Sequence, residues 1–285
     1  MHVQRHPVTQ QPTPGITGLT RLCAVIADPI HHVRTPQGVN PLLAEAGIDA
    51  VLVPIHVGAD ALRDAVNGFR VMRNFAGCIV TVPHKTSMLA LCDSLSEQAQ
   101  RIGAVNVVRH DRDGRLHGDM LDGAGFIAGL LANGIDPAGR RCLLAGAGGA
   151  ASAIAFALAS SGVSSLDLCN RSAERAQALA DRVAHWYPDC TPTVVDAVPN
   201  ADHELVINAT SLGLRADDPL PIDVSGLRSS QIVCDIIMDP ARTALLAAAE
   251  AAGCRTHPGQ PMLDHQLRLM IDLLGLHTDI APYAR

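Results

Sequence analysis

A chain of 285 residues has room for one large domain or two of ordinary size, and its 48% apolar and 18% charged content is that of a soluble globular protein. A formal net charge of −6 offers nothing to a nucleic-acid backbone or an anionic membrane, and no apolar run approaches the length of a membrane span. Four Phe, two Tyr and one Trp are too few to fill a core, which must be built from Ala, Leu, Val and Ile.

The first segment, 1–15, is polar with three prolines and lacks the apolar centre of a signal peptide, so it reads as a flexible leader. LCAVIA (22–27) is a first buried strand, followed by a loop at 28–32. Thr35 reads as N-cap of a helix with Pro36 in its first turn, stopped by Gly47. AVLVPI (50–55) is a strand, 59–72 an amphipathic helix with Leu62, Val66 and Phe69 on one face, and GCIVTV (77–82) a third strand. A short helix covers 86–92. Two strands, 104–108 and 115–117, flank a turn at 112–114, and a helix over 122–131 closes at Asn133-Gly134.

After a break near 134–139 the alternation starts again. Strands at 142–145, 165–169, 193–195, 205–208 and 232–235 are separated by helices at 149–160 and 173–186, and another helix at 243–252 ends at Gly253. The last helix, 262–274, carries Leu263, Leu267, Met270 and Leu274 on one face. Strands alternating with helices predict an α/β fold of two domains, each a parallel sheet covered on both faces.

The eight cysteines form no C-x-x-C pair, and several fall inside predicted buried strands, which suits small apolar residues in a reducing, cytoplasmic setting. The thirteen histidines include no H-E-x-x-H and no zinc spacing, so no metal site is expected.

In open parallel sheets ligands bind beyond the carboxyl ends of the strands. At one such end the run CLLA meets Gly146, Gly148 and Gly149, with Ala151 in place of a third glycine. A strand, a tight turn and a small-residue helix in that order form a pyrophosphate cradle, although a packing turn of another doubly wound fold has the same pattern. The next strand ends in Asn170-Arg171, with Arg175 one helical turn on. Two guanidiniums there match a 2′-phosphate and favour NADP over NAD, the alternative being solvated helix charges. In the first half Thr81 and Lys85 follow the third strand, Asn106 lies in the fourth, and Asp122 follows His117-Gly118. A lysine held by a carboxylate can exchange a proton with an alcohol or ketone; on spacing alone, Lys85 equally opens a surface helix and Asp122 caps another.

Taken together, ADPIHHVRTP (27–36), GCIVTVPHK (77–85), GAVNVV (103–108), GDMLDGAGF (118–126), GAGGAA (146–151), NRSAERA (170–176), INATSLGL (207–214), CDIIMDPARTALL (234–246) and GQPMLDHQ (259–266) resemble the shikimate dehydrogenase family, from about Leu22 to Leu274. The resemblance implies a substrate domain over 16–121 with 260–285, a Rossmann NADP-binding domain over 122–259, and a last helix returning to the first domain. It implies hydride transfer between NADP(H) and the alcohol or ketone of a shikimate- or quinate-like cyclic hydroxy acid, by a monomer or homodimer. Residue by residue, Lys85 and Asp122 match the catalytic pair. The positions of Val33 and Thr35, with Thr81, Asn106 and Gln266, match substrate contacts. Gly146, Ala147, Gly148, Gly149 and Ala150 match the phosphate loop, and Asn170, Arg171 and Arg175 the adenosine-phosphate site. Thr210, Ser211, Met238 and Gly259 match the nicotinamide side.

The departures are specific. Where the family has Ser-x-Ser to bind a carboxylate, this chain has Val33 and Thr35; Arg34 between them could supply charge, but its alternate position is expected to turn it away from the pocket. Ile79 replaces an Asn, Met120-Leu121 an Asn-Thr, and Met238 a Tyr. Each lost hydrogen bond to a bound polar group costs about 1–3 kcal/mol, about ten- to a hundredfold in affinity. Redox chemistry on a related substrate is therefore expected. A non-catalytic NADP-binding sensor of the same fold is the alternative. A methyltransferase is a poorer third reading, because it leaves the two arginines without a role.

Overall fold

The computed structural model describes residues 15–276 except His32, so all of the leader but Gly15 lies outside the described residues. The first part of the chain forms β1 (Arg21–Ala27), α1 (Thr35–Glu45), β2 (Ala50–His56), α2 (Leu62–Arg70), β3 (Phe75–Val80), β4 (Ser94–Leu95), α3 (Glu97–Ile102), β5 (Val107–His110), β6 (Leu116–Asp119) and α4 (Asp122–Ala132). The second part forms β7 (Arg141–Ala145), α5 (Gly149–Ser160), β8 (Ser165–Cys169), α6 (Ala173–Trp186), β9 (Thr193–Val194), β10 (Leu205–Asn208), β11 (Ile232–Asp235), α7 (Ala244–Ala251), β12 (Arg255–His257) and α8 (Gln260–Leu273).

Each part has its own sheet. The second runs β12-β11-β10-β7-β8-β9, all parallel. Its central strands are uninterrupted apolar runs because both faces are covered. Strand order reverses between β7 and β10, which opens a crevice above their carboxyl ends. The first sheet, β2-β1-β3-β5-β6-β4, corrects the expectation of a second all-parallel sheet. Parallel β1, β2 and β3 are followed by β5, antiparallel to β3, and β6, antiparallel to β5. The turn joining β5 to β6 is too short for the crossover that parallel strands need.

Three local expectations change. Thr35 is the first residue of α1 and Arg34 the N-cap, with no side-chain cap bond. Helix α3 was not expected: its six residues are too short to display a stripe, although Ser96 caps it by accepting the Ala99 N–H at 3.1 Å. Strands β4 and β12, two and three residues long, also carry no periodic signal.

One apolar cluster runs from β1 and β3 through α4 and α5 to β7, β8 and β10, so the two sheets share a core. A second cluster lies on the other face of the first sheet, where Leu263, Leu267, Met270 and Leu274 of the last helical segment pack against Val39, Leu43 and Ala76. Seven of the eight cysteines are buried, and burial pushes the Cys23 and Cys142 thiols up to about 12, so they act as packing residues.

Helix α4 lies between the halves because its glycines allow close contact. A Cβ on Gly123 would stand 2.4 Å from the Ala153 carbonyl oxygen of α5, and one on Gly125 would stand 2.2 Å from Cγ of Gln266 in α8. Gly123→Ala is therefore expected to destabilise the protein by about 1–3 kcal/mol in urea titration, although alanine favours helices by about 1 kcal/mol. Gly68→Ala in α2, where nothing lies within 4 Å, should stabilise instead. Equal effects of the two variants would contradict the packing account.

Candidate active site

The carboxyl ends of both sheets face a cleft of about 560 Å³. The charged side chains lining it are Lys85, Asp122, Arg175 and Asp239.

At its centre Lys85 Nζ donates to Asp122 Oδ2, and both side chains are largely withdrawn from solvent, 13% and 5% exposed. Asn106 fixes the carboxylate: its Nδ2 donates to Asp122 Oδ1 at 2.7 Å, while its Oδ1 accepts the Leu121 N–H at 2.8 Å. The Asn106 backbone is held in turn, donating to the Asp119 carbonyl at 2.9 Å and accepting from Val80 N–H at 2.7 Å. One residue before it, Val105 N–H donates to the Lys85 carbonyl at 2.9 Å. The short segment entering β5 thus pins both members of the ion pair. Two charges removed from water need such partners to offset their desolvation.

The glycine loop forms the facing wall. Gly146 has φ +119°, which only glycine adopts readily, and a Cβ there would strike the Ala209 carbonyl at 2.8 Å. Helix α5 begins at Gly149 with no side-chain cap, leaving its first N–H groups for a ligand. A Cβ on Gly148 would meet nothing within 4 Å, so the loop has open space before it, whereas one on Gly149 would touch the Lys85 stem at 3.2 Å. Asn170, Arg175, Ala147 and Ala150 also line the cleft. Arg171 is exposed but does not line the cleft, so the structure brings only one of the two expected arginines to it. Among the described residues neither guanidinium is paired with a carboxylate, Glu174 included. An uncapped helix start and unpaired guanidinium donors fit a pyrophosphate and a further phosphate, as NADP carries.

Thr210, Ser211, Met238 and Gly259 line the cleft beside this loop. A buried network that sequence reasoning missed holds Thr210. Thr210 Oγ1 donates to Asn208 Oδ1 at 2.7 Å, Asn208 Nδ2 donates to Asp235 Oδ1 at 3.1 Å, and Thr243 Oγ1 donates to Asp235 Oδ2 at 2.8 Å. Burial pushes the Asp235 carboxyl up, against the three hydrogen bonds it accepts. Asn208 and Asp235 are polar last residues of apolar strands, the signal that marked Asn170.

The opposite wall carries Thr35, Thr81 and Gln266, whose side-chain polar groups have no hydrogen-bond partner among the described residues. Ile79 lies between them, its side chain apolar. Val33 does not reach the cleft: it packs against the apolar cluster under α1 and α8, as does Leu121, while Met120 is buried in the main core. Of the apolar departures from the family pattern, only Ile79 and Met238 face the cleft.

Two family models match the chain: the shikimate dehydrogenase substrate binding domain over residues 25–108, and shikimate / quinate 5-dehydrogenase over 131–212. A shikimate dehydrogenase (NADP(+)) of Rubrobacter xylanophilus is 40% identical over 260 residues, 89% of this chain and 90% of that protein. The shikimate 5-dehydrogenase of Thermus thermophilus, solved with NADP(H) and shikimate, superposes with a TM-score of 0.81 at 32% identity, covering 92% of this chain and 95% of its own. The ligand-free 5-ketofructose reductase of Gluconobacter sp. strain CHM43 superposes with a TM-score of 0.78, also at 32% identity, covering 90% and 92%.

Removing the Asn106 side chain strands the Leu121 N–H and one Asp122 oxygen. Asn106→Ala should cost about 1–3 kcal/mol of unfolding free energy, read by chemical denaturation. A loss below about 0.5 kcal/mol would contradict the anchoring role.

Proposed function

Because this chain belongs to the shikimate dehydrogenase family, we propose that it is an NADP(H)-dependent oxidoreductase that interconverts a ring alcohol and its ketone. The substrate is a small hydroxylated compound of shikimate or quinate size, held through different contacts. The observation that carries this reading is the buried Lys85–Asp122 pair, fixed by Asn106 and set against the glycine loop.

When bound, NADPH would supply the hydride that the substrate carbon gains in reduction, and NADP+ would accept the one it loses in oxidation. Lys85 gives the proton to the carbonyl oxygen in reduction and takes it from the hydroxyl in oxidation. Asp122 holds the ammonium in place, and its second oxygen is occupied by Asn106, so the carboxylate has one orientation. Thr35, Thr81 and Gln266 offer hydroxyl and amide groups to substrate hydroxyls. The first turn of α5 would hold the pyrophosphate, Arg175 with the exposed Arg171 the 2′-phosphate, and Thr210, Ser211, Met238 and Gly259 would border the nicotinamide.

In this reading, 16–121 with 260–285 forms the substrate half and 122–259 the cofactor half. No helix among the described residues is long and apolar enough to cross a membrane. The unpaired, buried cysteines support a cytoplasmic setting.

The test is Lys85→Met. Loss of the proton donor should lower kcat for ketone reduction by about 10²–10⁴-fold, while NADPH binding, read by nucleotide fluorescence, stays within a few-fold of the wild type. If the wild type binds NADPH but reduces no ketone in a panel of hydroxylated ring compounds, the protein is a nucleotide-binding sensor and the oxidoreductase reading fails.

A further inference from the structure

An ion pair at the surface joins the segment before α1 to the loop after β11. Arg34, beside the cleft-lining Thr35 at the start of α1, donates to Asp239 on the loop after β11. The two side chains are 50% and 47% exposed. Asp239 lines the cleft and Arg34 does not. The contact with Arg34, the chain neighbour of Thr35, places Asp239 on the Thr35 side of the cleft.

The charges in the cleft can all be assigned. Lys85 is committed to Asp122. Arg175 is in the first turn of α6, after β8, the strand that pairs with β7 beside the glycine loop. The cation nearest Thr35 is Arg34, and Asp239 holds it. The substrate end is lined by Asp239, whose second oxygen has no partner among the described residues, together with Thr35, Thr81 and Gln266. Ile79 and Met238 supply apolar surface between them. These groups accept and donate single hydrogen bonds to hydroxyls. None is a free cation, and the position where Val33 stands offers no hydroxyl to the cleft.

We propose that this end of the cleft selects an uncharged polyhydroxy ketone over a ring carboxylate, with Asp239 accepting a substrate hydroxyl and the Arg34–Asp239 pair as the specificity determinant. The inference rests on the oxidoreductase reading above and names its substrate class. A carboxylate placed beside Thr35 would face Asp239 and lack an unoccupied cation, whereas a neutral hydroxyl there finds an acceptor.

The experiment measures NADPH-dependent reduction of three ketones by the full chain: 3-dehydroshikimate, an inosose and 5-ketofructose. The wild type should favour at least one uncharged ketone by about tenfold or more in kcat/KM, a difference of about 1.4 kcal/mol. Asp239→Asn removes the acceptor's charge and releases Arg34, so the ratio of acid to uncharged kcat/KM should rise about tenfold. Arg34→Ala leaves Asp239 unneutralised, and the same ratio should fall. Opposite signs in two variants of one pair separate local charge from structural damage. A wild-type preference for 3-dehydroshikimate, or a ratio that moves the same way in both variants, overturns the inference and leaves the oxidoreductase reading intact. Reduction of none of the three, with NADPH bound, overturns the inference, and the oxidoreductase reading falls with it when the wider panel of hydroxylated ring ketones is also left unreduced.

Discussion

Asp122 can meet Lys85 because α4 lies almost backbone to backbone against its neighbours. The carboxylate is on the first residue of α4, and the lysine is five residues past the end of β3. What brings them together is the line of Gly123, Gly125 and Gly129, each leaving room that a methyl group would fill with backbone or with Gln266. Protein interiors pack at crystalline density, so there is no slack to absorb an added Cβ on that line. The helix is thereby fixed against α5, which carries the glycine loop, and α8, which carries Gln266. The site's geometry is a property of this three-helix contact as much as of either sheet.

Several features of the site follow from that placement. At the start of α4 the Asp122 carboxylate sits where the helix dipole favours negative charge. The segment entering β5 lies beneath it, so one short stretch of backbone holds Asn106 against Asp122 and Val105 against the Lys85 carbonyl. Gly149 packs on the Lys85 stem, which makes the cofactor loop part of the lysine's surroundings. The shared apolar core behind these groups means that the two halves are not independent platforms facing each other across water.

Much of this was legible in the sequence, for identifiable reasons. The second sheet announced itself through uninterrupted apolar runs, each ended by a glycine or a polar residue, and the α8 stripe of Leu263, Leu267, Met270 and Leu274 is the buried face observed. Lys85 and Asp122 were found because polar residues at strand ends stand out against apolar neighbours, and Asn106 because it interrupts an apolar strand. What sequence could not give was direction. Val33 and Met120 occupy positions within motifs that line a pocket, but an apolar side chain next to an apolar cluster turns into it, and both do so. The Asn208–Asp235–Thr243 network was missed because its members lie up to 35 residues apart and meet only when β10 and β11 pair. Helix α3 was missed because its six residues show a cap and no period.

The central claim is that Lys85 and Asp122 work as one unit, with the carboxylate acting through the ammonium. A double-mutant cycle on kcat/KM for the preferred ketone, using Lys85→Met, Asp122→Asn and the double variant, measures that dependence directly. If the claim holds, the double variant is no slower than Lys85→Met alone within about threefold, because Asp122 has nothing left to position. Losses that multiply, each substitution costing as much in the presence of the other as in its absence, would contradict it.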